Sequence, residues 1–353
     1  MKYYLLIFCL ALTIPSYSQK FTDSACTRYF EITDRLRAGD SLSRDTWQSF
    51  LKDKSIQTYM QDQGVGDAYF ESYRRNMQIV YMPQKSEVLN ARLKDSNTYW
   101  LTYMIYQYKK HEAGMRAYLS NIKNNPGAYF DSCYNYAYSA LPKSAHKKLP
   151  EMVFSIIPIH NDAHAETNLI IYTLLCAYFN DMNRYGALGG HELHHALRPQ
   201  PDFKMEEKDK AAVTLMYVVL NEGTADLVDK KYMTDTASKL LPYQRYFKEF
   251  FDEAKPVLPN LDSLLQITAQ TGKAFKIREY LKPTSYTSGH VPGMYMAHYI
   301  EKHGKKRKLI QHIADPFYFF ILYNQAAKKD ADKPYVFSKK TMDYIQSLQK
   351  KYR

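Results

Sequence analysis

The apolar positions divide the chain into two stretches. From about Phe21 to Ala140, apolar residues recur at spacings of three and four, which predicts helices. Ser43 is placed to cap "RDTWQSFLKD". The stretch Ser96 to Lys123 reads as one long helix, stopped by "NNPG" at 124–127, and a further helix is expected over "AYFDSCYNYAYSAL". Beyond Pro142 and Pro150 the pattern changes. "MVFSIIPI", Met152 to Ile159, is short, β-branched and apolar and predicts a strand. "HNDAHAETN" reads as a polar loop. "LIIYTLLCAYF" suits a strand or a helix equally. Tyr185 to Leu197 predicts a helix closed by Pro199 and Pro201, and Lys208 to Tyr232 a second, longer one. Helices dominate the remainder, with breaks at "KPTSYTSGHVPG" and at Ala314 to Pro316. The expected class is mainly α (α+β) with a small sheet.

The amino terminus stands apart from this pattern. Met1-Lys2 precedes an apolar run of about thirteen residues, short of the ~20 needed to span a bilayer, and small residues follow at Ser16 and Ser18. This is the form of a signal peptide over residues 1–18. No later run is long and apolar enough to span. The expectation is an exported protein, secreted or periplasmic, without a transmembrane segment after cleavage. It would have a helical N-terminal region over 19–150 and a second domain over 151–353.

Composition narrows the chemistry. Cys26, Cys133 and Cys176 remain after residue 18, too few and too scattered for a disulfide framework or a cysteine zinc site. The net charge of +12 is spread along the chain, its densest cluster being Lys302 to Lys308, and no nucleic-acid module accompanies it. The 33 tyrosines fall largely at helical spacing and suit packing.

Candidate chemistry concentrates in "GALGGHELHHALRPQ", Gly186 to Gln200. His191 and His195 are four residues apart, so on a helix both rings leave one face and can close on one zinc ion. Glu192, rotated about 100° from His191, can reach a water at the open position without binding the metal. This is the HExxH arrangement. A frame with His194 as ligand has poorer geometry with His191 and leaves His195 idle. His194 is expected to point elsewhere and hydrogen-bond to neighbouring structure. Downstream, "NEGTAD" places Glu222 on the second long helix as a third ligand. Asp226, on the same face, can accept the free N–H of a ligand histidine. Two histidines, one glutamate and an open position describe a catalytic zinc. In "SYTSGHVPGMY", His290 and then Tyr286 are the candidates to stabilise an oxyanion, with Tyr295 also available. His160 and His164 read as a polar loop at a cleft rim rather than a second metal site.

HELHH followed by NEGTAD resembles the gluzincin metallopeptidases, whose pattern is HExxH and then a helix carrying Asn-Glu-x-x-x-Asp. Together with the signal peptide and "GMYMAHYIEKHG…ADPFYFFILYN", it is similar to a family of exported bacterial zinc-dependent peptidases of unassigned substrate. The resemblance implies a zincin-like core, Zn2+ on His191, His195 and Glu222, Glu192 as general base, Asp226 as the supporting carboxylate and a peptide or protein as substrate. The chain departs from the pattern at Leu193-His194, where apolar or small residues are usual. The alternative is a zinc-binding exported protein without hydrolytic activity that binds a partner through its helical N-terminal half.

Overall fold

A computed structural model describes residues 19–230, 246–285 and 288–353; the expected signal peptide lies outside them. The chain is mainly helical with one four-stranded sheet. The strands are β1 (Lys20–Thr22), β2 (Val153–Ile157), β3 (Ala163–Glu166) and β4 (Leu169–Thr173), in the order β1-β2-β4-β3. β2 is parallel to both β1 and β4, and β3 runs antiparallel to β4 at the edge.

Several local expectations hold. The Ser43 side chain accepts the Thr46 N–H and caps the helix Arg44–Leu51. "NNPG" stops the helix Glu112–Asn124, and Pro126, read only as part of that stop, also opens the next helix Pro126–Tyr138, where its missing N–H costs nothing. The ambiguous run "LIIYTLLCAYF" is a strand and then a helix, because it turns at Thr173 from β4 into Leu174–Asn183.

Others are corrected. The N-terminal region begins with β1, whose three residues are too few to show a period. The expected long helix breaks at His111 into Trp100–Lys110 and Glu112–Asn124. The polar "HNDAHAETN" contains β3: an edge strand needs little apolar content because only one side pairs. The break at "KPTSYTSGHVPG" is shorter than expected, because a helix already starts at His290 within it.

Buried apolar residues form two clusters. The first joins the N-terminal helices, the sheet and the HExxH helix Ala187–Leu197; the second is built from Ala212 to Leu348. The helix Glu207–Asp226 belongs to the second and packs against Ala187–Leu197, so the junction of the clusters runs between them.

Glycines set how closely these helices approach. A Cβ on Gly190 would lie 2.5 Å from Tyr136 Cβ, so the HExxH helix rests almost directly on Pro126–Tyr138. The tighter crossing is between Glu207–Asp226 and His290–Lys302: a Cβ on Gly223 would lie 2.4 Å from the Gly293 carbonyl oxygen. Backbone meets backbone there, and neither can yield as a side chain could. Asp181 supports the start of the HExxH helix, its Oδ1 accepting the Leu188 N–H at 3.4 Å. Gly223→Ala is therefore expected to destabilise the protein by about 1–3 kcal/mol in denaturant unfolding. Gly127→Ala, with open space around its Cβ, should have far less effect. Equal midpoints for the two variants would contradict the backbone crossing.

Candidate metal centre

Three expected ligands converge. His191 and His195 leave the same face of their helix, and their Nε2 atoms are 3.1 Å apart. Glu222, from the opposing helix, brings Oε2 to 3.4 Å from His195 Nε2 and 3.9 Å from His191 Nε2. A tetrahedral zinc with bonds of about 2.0–2.1 Å holds its ligand atoms about 3.3–3.4 Å apart. The spacing and the two-nitrogen, one-carboxylate chemistry both fit that ion. The charge balance fits as well. Glu192, Glu222, Asp226 and Asp229 lie close together in a largely buried region with one ammonium, Lys230. A divalent cation offsets most of the remaining negative charge.

The surroundings fix the ligands. Asp229 Oδ1 accepts from His191 Nδ1 at 2.9 Å, which leaves the Nε2 lone pair for the metal. This corrects the role expected of Asp226, which lies 3.9 Å from His191 Nδ1. Asp226 serves His290 instead, 3.1 and 3.2 Å from its Nδ1. The reason is where the helix ends. Glu222 and Asp226 lie one turn apart at its end, where Asp226 faces the neighbouring helix, and Asp229 lies in the turn that follows, from which it reaches His191. Asn221 Nδ2 donates to Glu222 Oε1 at 3.2 Å and thereby turns Oε2 toward the histidines. The buried Arg198 holds Asn221 Oδ1 in turn.

Electrostatics follow from this packing. Burial would raise the Asp229 carboxyl, but Lys230 and His191 outweigh it and hold it at about 2. Burial would lower the Lys230 ammonium; Asp226, at 2.9 Å, and Asp229 keep it above its ordinary value. Burial likewise opposes charge on His290, and Asp226 and Glu222 still raise its pKa.

The other expected residues are distributed as follows. Glu192 is buried beside the ligands and lines the same cavity, of about 620 Å³. His290, the first residue of its helix, also lines it, with Nε2 3.3 Å from Glu222 Oε2 and its ring stacked on Phe250. The Gly223–Gly293 crossing makes this approach possible. Tyr286 lies outside the described residues. Tyr295 packs in the second core against Phe251 and Tyr299. His160 and His164 both line the cavity. His194 is fully buried and away from the cavity, and neither ring nitrogen makes a hydrogen bond of ordinary geometry. The backbone of Ala140 is its polar neighbour, and burial, with His195, pushes its pKa well below the usual range, leaving the ring neutral.

Sequence reasoning missed Asp229, Lys230 and the part played by the N-terminal helices. Asp229 had a signal, since it lies two turns after Glu222. The N-terminal helices contribute Asp62, Gln63, Trp100 and Met104 to the cavity, through contacts distant in sequence that no local pattern marks.

The two aspartates can be told apart. Asp229→Ala should weaken zinc binding by about 10–100-fold in a chelator competition titration, the usual cost of losing a ligand's orienting partner. Asp226→Asn should change it far less. The reverse order would return the role to Asp226.

No helix of the described residues is long and apolar enough to cross a membrane. No curated protein and no solved structure matches the chain. Residues 47–332, spanning the HExxH helix, Glu222 and most of the N-terminal helices, match the family described as "Putative zinc dependent peptidase (DUF5700)", and the chain belongs to that family.

Proposed function

We propose that the protein is an exported peptidase of the gluzincin type, with a zincin-like core in which Zn2+ is held by His191, His195 and Glu222. The observation that carries this reading is the convergence of those three donor atoms with the buried, cavity-lining Glu192 at their side. Zinc bound there supplies electrophilic polarisation of the attacking water and of the scissile carbonyl.

The protein's own groups do the rest. Glu192 is adjacent in sequence to ligand His191 but is not part of the converging set, so its carboxylate is available as a base. It takes a proton from the water attacking the peptide carbonyl and delivers it to the departing amine nitrogen. His290, held through Nδ1 by Asp226, presents Nε2 to the cavity side of Glu222 and donates to the oxyanion. Lys230 pairs with Asp226 and Asp229 in their buried setting, which preserves the orientation of both histidines. The cavity is walled by both halves of the chain, so the N-terminal helices help to shape the substrate site. The leader at residues 1–18 supports export.

Glu192→Gln should retain one zinc per chain by metal analysis and lose hydrolysis of a peptide library by at least about 100-fold. Cleavage at the wild-type rate, with zinc still bound and chelator abolishing it, would remove Glu192 as the base.

A further inference from the structure

Away from the converging ligand atoms, the cavity has a wall rich in hydrogen-bond acceptors. Part of it is the turn His160–Asp162 after β2. His160 has φ 68°, a backbone conformation that residues other than glycine seldom adopt and that persists only where surrounding structure imposes it. The imposition is visible. Tyr108 Oη donates to the His160 carbonyl at 2.8 Å, and the Tyr59 hydroxyl hydrogen-bonds to Nδ1 of the His160 ring. Asp162 exchanges two backbone-anchored hydrogen bonds with Thr173, at 3.0 and 3.1 Å. The turn so fixed places Asn161 and Asp162 on the cavity, and Asp62 joins them from the N-terminal helices.

Asn180, on the helix after β4, completes the wall. It is 6% exposed and lines the same cavity. Its Nδ2 donates to the Cys176 carbonyl at 2.9 Å, which fixes the amide orientation and leaves Oδ1 a buried acceptor without a hydrogen-bond donor. Asn161 Oδ1 is in the same condition. Buried carbonyl oxygens are normally satisfied, so this pair points to a donor that arrives with a ligand. In a chain of net charge +12, no arginine lines the cavity among the described residues, and its lysine, Lys230, is held by Asp226. Trp100 lies in the same cavity.

We propose that this wall is a subsite for a cationic nitrogen of the peptide substrate, an amino-terminal ammonium or a lysine or arginine side chain. Such a group brings several N–H donors and a positive charge to two carboxylates and two unmet carbonyl oxygens. The proposal rests on the peptidase reading and adds to it a preferred substrate class.

Four peptides of equal length and otherwise identical sequence separate the two sources: amino terminus free or acetylated, with one lysine or with norleucine in its place. Binding is followed by tryptophan fluorescence in zinc-loaded Glu192→Gln protein. The chain's two tryptophans are Trp100, in the cavity, and Trp47, in the N-terminal core. Cleavage is followed as kcat/KM in wild type. At least one cation-bearing peptide should bind about tenfold or more tighter than the acetylated norleucine peptide, the scale of a charge-assisted hydrogen bond. The better of the two single-cation peptides identifies the source. The Asp62→Asn/Asp162→Asn double variant should remove most of that preference while binding the neutral peptide as wild type does. Equal binding of all four peptides, or equal loss of neutral and cationic peptides in the double variant, would overturn the subsite. Zinc-dependent cleavage without discrimination overturns the subsite alone. Discrimination in binding without any cleavage overturns the peptidase reading and leaves the subsite standing.

Discussion

Buried negative charge is the constraint around which this molecule is arranged. Glu222 and Asp226 lie one turn apart at the end of a helix, Asp229 follows in the turn after it, and Glu192 is close by on the helix opposite, with Glu192, Asp226 and Asp229 buried and Glu222 partly so. Like charges so placed are expensive unless each finds a partner. Lys230 lies between Asp226 and Asp229, His290 and His191 each hydrogen-bond to one of the two carboxylates, and Glu222 faces the two Nε2 atoms that would share a metal with it. A zinc ion at that point would add positive charge beside these carboxylates, which ties metal binding to the packing of the two helices.

That arrangement explains where the site lies. The HExxH helix is part of a core made with the N-terminal helices and the sheet, and the Glu222 helix is part of the C-terminal core. The donor set therefore exists only when the two cores are packed together. Glycines on both sides allow the approach, Gly190 against Tyr136 and Gly223 against Gly293. The second contact also carries His290 to Glu222 and Asp226. The cavity beside the ligands inherits walls from both cores, and the family match extends across both.

What could be read in the sequence was local. The four-residue step from His191 to His195 and the identity of Glu222 follow from helix periodicity and ligand chemistry, and the structure brings these residues together. Ser43 marks its helix because caps act within one turn. The failures share a cause. β1 exists through pairing with the distant β2 and β3 through a tight hairpin with β4, and their three or four residues held no periodic signal. The choice between Asp226 and Asp229 depends on the angle at which one helix meets another, which spacing alone does not fix. His194 is expected to point away from the ligands, and it does, but spacing could not show that its ring is neutral and enclosed in the core. The contribution of Trp100 and Asp62 to the cavity required the tertiary fold.

X-ray absorption at the zinc edge of the purified protein examines the donor set directly. Two imidazole nitrogens and oxygen ligands at about 2.0–2.1 Å, with no sulfur shell, are predicted for His191, His195 and Glu222. A sulfur shell at about 2.3 Å, or a coordination sphere unchanged in His195→Ala, would contradict it.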